Sequence, residues 1–352
     1  MSSVLEREIS FTYRSQGGSL DLHPDSGQLA LERAGLTAEF KEVARYEDQE
    51  TRLYDKHGKL RLLEDDVTGK DRPEVDRGHL RQLLLDSLPE GAVRWNAGVR
   101  TVEPRSDGRC DVLFQDASRE TYDLVVGADG TWSKVRPVVS GAQPIYSGIL
   151  FVEMGMDDVD RRFPDSAKIA GHGMTFAAGD SKALVIHRDA NAHVGIYTAF
   201  RKPAEWFQDE GLDRLSPEDA RVKLAAEFKG WSEDMLNFIH RSGDYIAPRG
   251  IYGLPNGHRW QHRPGVTLLG DAAHVMSPFG GDGANLAMLD AADLAEALSG
   301  TYWRDAIPAF EETMCARAEQ SAGPANAAIQ EVFAPDGLDH MLAMFSHQLH
   351  GD

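Results

Sequence analysis

The densest run of residues able to do chemistry is Gly270-Asp271-Ala272-Ala273-His274-Val275-Met276-Ser277-Pro278-Phe279-Gly280-Gly281-Asp282-Gly283-Ala284-Asn285. A short apolar stretch, Val266-Thr267-Leu268-Leu269, precedes it, and a strong helical pattern continues from Asn285 to Leu298. A buried strand therefore ends in an acid, and a glycine-rich loop opens a long helix. Loop glycines let backbone amides approach a ligand closely. The helix N-terminus favours negative charge. Asp271 can accept hydrogen bonds from the hydroxyls of a bound molecule. An ordinary strand–loop–helix connection has the same outline, but sixteen residues in this order are far more specific than a lone Gly-x-Gly.

Other candidates are weaker alone. Gly127-Ala128-Asp129-Gly130 ends a second buried strand, with Ser133 and Arg136 after it; an Asp-Gly turn after a strand is common. Arg77 opens an amphipathic helix behind Asp76, which stands at the N-cap position. A cation in a first turn is mildly disfavoured by the helix dipole, which hints at a role. His172, His187 and His193 fall in a strand-rich block and could face a pocket, but surface or satisfied core positions are the simpler reading. The sequence contains no Ser-His-Asp arrangement, Walker loop or metal-ligand spacing.

These residues need elements to hold them. Val4-Leu5-Glu6-Arg7 reads as the end of a buried strand finishing in an acid. A Gly-rich turn covers 14–21, and a helix pattern follows to Gly35. Residues 50–64 read as two short strands around Lys56-His57-Gly58-Lys59, and 93–114 as strands with a hairpin. Residues 146–200 are strand-rich, 217–241 helical, and Tyr302 begins a second long helix with a helical tail. Strands alternate with helices around one inserted strand-rich block. That pattern indicates an α/β fold with a substrate-covering sheet. The chain has 352 residues, 41% of them hydrophobic, which supports a sizeable core. A net charge of −19 argues against nucleic acid or an anionic membrane as a partner. Two cysteines, Cys110 and Cys315, make no disulfide framework and fit a reducing cytoplasm. No apolar stretch has the length of a transmembrane helix.

With those residues in view, the chain resembles the class A flavoprotein monooxygenases, of the aromatic-hydroxylase and tetracycline-inactivating kind. The resemblance covers nearly the whole chain, and residues 270–285 carry it most specifically. It implies FAD as cofactor, NADPH or NADH as reductant, and dioxygen as co-substrate. The product would be a hydroxylated planar aromatic, phenolic or enolic small molecule, polyketide-like substrates included, formed through a flavin C4a-hydroperoxide. No side-chain nucleophile and no metal are required. The cofactor-binding residues it implies are Glu6, Arg7, Arg14, Asp21, Arg77, Asp129, Asp271, Pro278, Gly281, Gly283, Ala284 and Asn285. Among them Glu6 matches the acid that binds adenosine ribose, and Arg14 an arginine that contacts NADPH or flavin. Glu153 and Met174 stand where the tetracycline enzymes have substrate-contacting glutamine and arginine, so a more apolar substrate is expected.

The fold implied is a Rossmann-like FAD domain made from 1–32, 65–145 and 239–300. A substrate domain would comprise 33–64 and 146–238, and C-terminal helices 301–352. The family's Gly-x-Gly-x-x-Gly loop would fall before Met1. Residues 1–352 alone are therefore expected to hold FAD weakly. The competing readings are an inactive fragment and a non-catalytic binder of aromatic ligands.

Overall fold

The structure, a computed structural model, describes residues 2–13, 18–46, 50–64 and 71–350, with 347–350 as backbone only. Among the described residues the strands run β1 (Val4–Leu5), β2 (Ser19–Asp21), β3 (Glu50–Asp55), β4 (Leu60–Glu64), β5 (Glu74–Asp76), β6 (Val93–Arg94), β7 (Val99–Pro104) and β8 (Cys110–Phe114). There follow β9 (Arg119–Tyr122), β10 (Val125–Gly127), β11 (Ile145–Met156), β12 (Gly173–Gly179), β13 (Lys182–Arg188), β14 (Val194–Arg201), β15 (Ala247–Gly253) and β16 (Val266–Leu268).

The largest sheet has seven strands in the order β15-β11-β14-β13-β12-β3-β4. Its pairs are antiparallel except β12 with β3. Successive side chains on a strand point to opposite faces. On β11, Leu150, Val152 and Met154 enter one core with Leu184, Ile196 and Phe200, and with Leu224, Phe228, Met235 and Phe238 from the helices Pro217–Glu227 and Glu233–His240. Ile149 and Phe151 enter another core with Ile329, Val332 and Phe333 of the C-terminal helical region and Met341 of the last helix. Both faces are covered, which is why Gly148-Ile149-Leu150-Phe151-Val152 is a nearly unbroken apolar run.

Among the described residues, the remaining strands form four smaller sheets. Two parallel pairs, β1 with β6 and β10 with β16, are the Rossmann-like components. The antiparallel β7-β8-β9 sheet packs with β10 and β16 in a core that includes Val112, Phe114, Val266 and Leu268. The helix Thr37–Val43 packs through Phe40 against Leu22, Leu31, Val75 and Leu80.

Two local features add detail to the expected elements. The helical region 217–241 is made of two helices, Pro217–Glu227 and Glu233–His240, because Gly230 has φ +91° in the segment between them; a right-handed helix cannot pass through that conformation. Asp76 occupies the N-cap position of the helix Arg77–Asp86 but makes no side-chain cap bond. Arg45 takes its carboxylate instead, with Nη1 donating to Oδ1 at 2.5 Å.

Candidate functional site

Asn285 is the centre of the site's construction. It is 1% exposed, in the first turn of the helix Gly283–Ser299. Its Oδ1 accepts from the His23 amide at 2.9 Å, and its Nδ2 donates to the Asp21 carbonyl at 2.9 Å and the Gly281 carbonyl at 3.3 Å. One side chain thus ties the end of β2 to the glycine loop. The fit is tight: a Cβ on Gly27 would lie 2.5 Å from Asn285 Oδ1. His23 completes the knot, with Nε2 at 3.0 Å from Asp21 Oδ2 and Nδ1 at 3.6 Å from Asp282 Oδ1. Burial would raise the Asp21 pKa, but the hydrogen bond and charge of His23 outweigh it and hold the carboxyl below its ordinary value.

The loop presents donors. The first bond of the Gly283–Ser299 helix runs from the Leu286 amide to the Asp282 carbonyl at 2.8 Å. The amides of Gly283, Ala284 and Asn285 therefore have no intrahelical acceptor. A Cβ on Gly283 would meet nothing within 4 Å, and Pro278 and Gly281 are exposed. Gly281 adopts φ +71°, the left-handed region that glycine tolerates. Open space, free amides and a helix N-terminus suit an electron-rich planar group such as reduced flavin.

Asp271 opens the short helix Asp271–His274 and is exposed. Thr131 Oγ1 donates to its Oδ2 at 3.4 Å, which brings the Asp-Gly turn beside it. Asp129 accepts from Ser133 Oγ at 2.5 Å and from the Lys134 amide at 2.6 Å, so it braces that turn. Buried Arg136 stitches the two loops, donating from Nη1 to the Ala272 carbonyl (3.0 Å) and from Nη2 to the Thr131 carbonyl (2.6 Å).

Beneath Gly270 lies a cluster that sequence reasoning missed. Asp290 is fully buried. Its Oδ2 accepts from the Gly270 amide at 3.1 Å and pairs with His274 Nε2 at 2.6 Å, while Oδ1 accepts from Arg317 Nη2 at 2.8 Å. Arg317 also reaches Asp293, which Arg33 holds at 2.7 Å. The available signal was an acid inside the apolar stripe Leu286, Leu289, Leu294.

The other expected cofactor residues are more dispersed. Arg77 is exposed at the start of its helix, and its amide donates to the Gly18 carbonyl at 3.1 Å. Glu6 is half-buried at the end of β1, where its Oε1 accepts from the Glu8 amide; Arg7 is exposed. Arg14 lies outside the described residues.

Glu153 and Met174 share the sheet face that looks toward the glycine loop. Register places Glu153 opposite Tyr197, Tyr197 opposite Val185, and Val185 opposite Phe176. Phe151, two residues from Glu153, meets Phe279 of the loop edge-on at 6.4 Å and Tyr197 at 5.9 Å. Arg249 Nε donates to Glu153 Oε2 at 2.7 Å, and Arg249 Nη2 to Tyr245 Oη at 2.9 Å. Burial, with the nearby Glu153 charge, pushes the Tyr197 phenol up to about 12. Met174 is not beside Glu153. It pairs with His187, three strands from β11, roughly 14 Å away at normal strand spacing.

His187 is a buried, satisfied histidine at the junction with β5. Nδ1 lies 2.9 Å from Asp189 Oδ1 and Nε2 3.6 Å from Glu74 Oε2. Burial alone would lower its pKa, but the two carboxylates win and raise it to about 10. A folded-state pKa above the unfolded value of about 6.5 stabilises fully below that pH, and the contribution disappears as pH rises through about 10. The melting-temperature gap between wild type and His187→Gln should therefore be largest below pH 6.5 and shrink steadily toward pH 10. A pH-independent gap would contradict the assignment.

Comparison with known proteins identifies the family. The family described as an FAD binding domain matches residues 258–322, which include the glycine loop. Monooxygenase asqM of Emericella nidulans is 33% identical over 325 residues, covering 80% of this chain and 73% of that one. The 3-amino-4-hydroxybenzoate 2-monooxygenase PtnB3 of Streptomyces platensis is 29% identical over 343 residues, 94% and 82% of the two chains. The crystal structure of Klebsiella pneumoniae HpxO complexed with FAD and uric acid superposes with a TM-score of 0.78 at 20% identity, covering 98% of this chain and 92% of that one. The chain belongs to the class A FAD-dependent monooxygenases.

Proposed function

We propose that the protein uses NADPH or NADH and dioxygen to hydroxylate a planar aromatic, phenolic or enolic small molecule. The observation that carries this reading is the loop itself: three amides without intrahelical acceptors, an exposed Asp271, and Asn285 tying the glycine loop to the end of β2. Bound there, FAD would supply the two-electron redox chemistry that links a nicotinamide reductant to dioxygen. The amides of Gly283, Ala284 and Asn285 would receive the electron-rich edge of the isoalloxazine, with Pro278 and Gly281 beside it. Asp271 would accept from ribityl hydroxyls. Asp21, Arg77, Asp129, Glu6 and Arg7 would complete the cofactor contacts, and Arg14 would serve the nicotinamide or the flavin.

The substrate would lie between the loop and the sheet. Phe151, Tyr197 and Phe279 supply aromatic walls for a planar ring. Glu153, held by Arg249, supplies a fixed hydrogen-bond acceptor. Met174 would extend the apolar part of the same face. Two relatives support small planar rings: PtnB3 is named for an aminohydroxybenzoate, and HpxO was solved with uric acid.

Asp271→Ala should weaken FAD binding, because a charged hydrogen bond is worth about 1.5–3 kcal/mol, on the order of 10- to 100-fold in Kd. Titration of wild type and variant with FAD, followed by flavin fluorescence, measures this; equal Kd values would remove Asp271 from the site. Tetracycline should be a poor substrate, because Glu153 is tied to Arg249 and Met174 offers no charge. The check is oxygen uptake against product formed, and efficient coupled hydroxylation of tetracycline would contradict the assigned pocket.

A further inference from the structure

The ion pair between Glu153 and Arg249 stands on the sheet face that meets the glycine loop, and it is only half used. Arg249 lies directly opposite Phe151 in the register of β15 with β11, so it shares the face on which Phe151 meets Phe279. Arg249 Nε donates to Glu153 Oε2 at 2.7 Å. Tyr245 Oη accepts from Arg249 Nη2 at 2.9 Å and donates to the same carboxylate oxygen at 3.4 Å. These bonds fix the pair and occupy one edge of each group. Among the described residues, Glu153 Oε1 and Arg249 Nη1 make no hydrogen bond. The Arg249 side chain is 54% exposed and that of Glu153 20%. An incoming ring therefore meets an unused acceptor and an unused donor on one wall.

The charges on that wall cancel. Those acting on the Tyr197 phenol are Glu153, Asp189, Arg77 and Arg249, two of each sign. Asp189 is taken up by His187 at 2.9 Å, and Arg77 is one of the cofactor contacts proposed above. A carboxylate and a guanidinium held together remain for the substrate. An anion drawn to Arg249 is repelled by Glu153, and a cation meets the reverse, so the two Coulomb terms largely offset each other. A neutral group with an N–H beside a carbonyl escapes this conflict. Its N–H donates to Glu153, its carbonyl accepts from Arg249, and both bonds are charge-assisted.

We propose that the Glu153–Arg249 pair selects uncharged aromatic substrates that carry an N–H next to a carbonyl, as in a carboxamide or a ring lactam, and rejects aromatic carboxylates and amines. The inference rests on the reading that the substrate lies between the loop and the sheet. Glu153 then acts as much by excluding carboxylates as by binding the N–H.

Three phenols of matched size test it: 3-hydroxybenzamide, 3-hydroxybenzoate and 3-hydroxybenzylamine, which near neutral pH are uncharged, anionic and cationic at the same ring position. Calorimetry with FAD in excess would give Kd for each phenol with wild type, Glu153→Gln and Arg249→Gln, and melting temperatures would confirm folding. Wild type should bind the amide about tenfold more tightly than either ion. Glu153→Gln leaves Arg249 unopposed and should turn the preference to the benzoate by about tenfold, whereas Arg249→Gln should turn it to the amine by a similar factor. A pair that merely holds the two strands together would not give opposite reversals. A wild-type preference for either ion, no binding of the amide to wild type, or variants that weaken all three phenols equally would overturn the proposal. The readout is binding, so the oxygenase reading fails separately: an amide bound in this order yet never hydroxylated, with NADPH or NADH and dioxygen supplied, would sink that reading and support this one.

Discussion

Asp290→Ala should lower stability by about 3–5 kcal/mol, because removing one partner of a buried ion pair leaves the other charge uncompensated. Asp290 is 0% exposed and serves three donors: the Gly270 amide, His274 and Arg317. After truncation, Arg317 keeps only Asp293 as an acidic partner, and the Gly270 amide loses its acceptor. For a chain of this size the melting temperature should fall by about 4–7 °C. Thermal unfolding followed by circular dichroism measures it, and a fall of less than 2 °C would show that the cluster is not what holds this region. The double variant Asp290→Leu with Arg317→Leu should recover part of the loss, since exchanging a whole buried pair for apolar groups costs less than breaking it. The consequence for function follows from Gly270: its φ of +57° and its amide bond to Asp290 set where the chain turns into Asp271.

Asn285→Leu should have the larger effect on the cofactor. The substitution leaves the His23 amide and the carbonyls of Asp21 and Gly281 without this partner. Each buried group left unsatisfied costs about 1–3 kcal/mol. It also unties β2 from the loop, so Asp21 and Gly281 lose their shared anchor. FAD affinity should drop by about 100-fold or more, beyond the loss at Asp271 alone. Gly27→Ala provides an independent route to the same defect, because its Cβ would collide with Asn285 Oδ1 at 2.5 Å. Flavin titration of both variants is the check. Wild-type affinity in folded Asn285→Leu would mean that the knot does not shape the binding loop.

The two variants probe parts of the site that differed in legibility. Local order was readable: strand β16, the glycine loop and the helix after Gly283 follow from apolar runs and turn residues, and the strands β3 and β4 lie on either side of the turn at Lys56-His57-Gly58-Lys59. Long-range partners were not. Asn285 reaches Asp21 across 264 residues, and Arg249 reaches Glu153 across 96. No periodicity encodes such meetings, because they depend on how separate elements pack. His23 was within reach, since it stands two residues from Asp21, but its role appears only when the Asp282 carboxylate arrives from the other side. Asp76 shows the converse: a good local cap signal was overridden by Arg45, brought beside it by the bridge of Arg45 to Glu74. Met174 and Glu153 look comparable in sequence, yet two intervening strands separate them on one face.

The central claim is that residues 270–285 form the wall against which the flavin binds. Amide hydrogen exchange with and without FAD tests it most directly, because the amides of Gly283, Ala284 and Asn285 lack intrahelical acceptors and should be filled by the cofactor. The account predicts that FAD slows exchange throughout residues 270–285, most strongly at Gly283, Ala284 and Asn285, with matching protection at Asp21 and His23. Binding of FAD that leaves exchange in 270–285 unchanged, with protection appearing elsewhere, would contradict it.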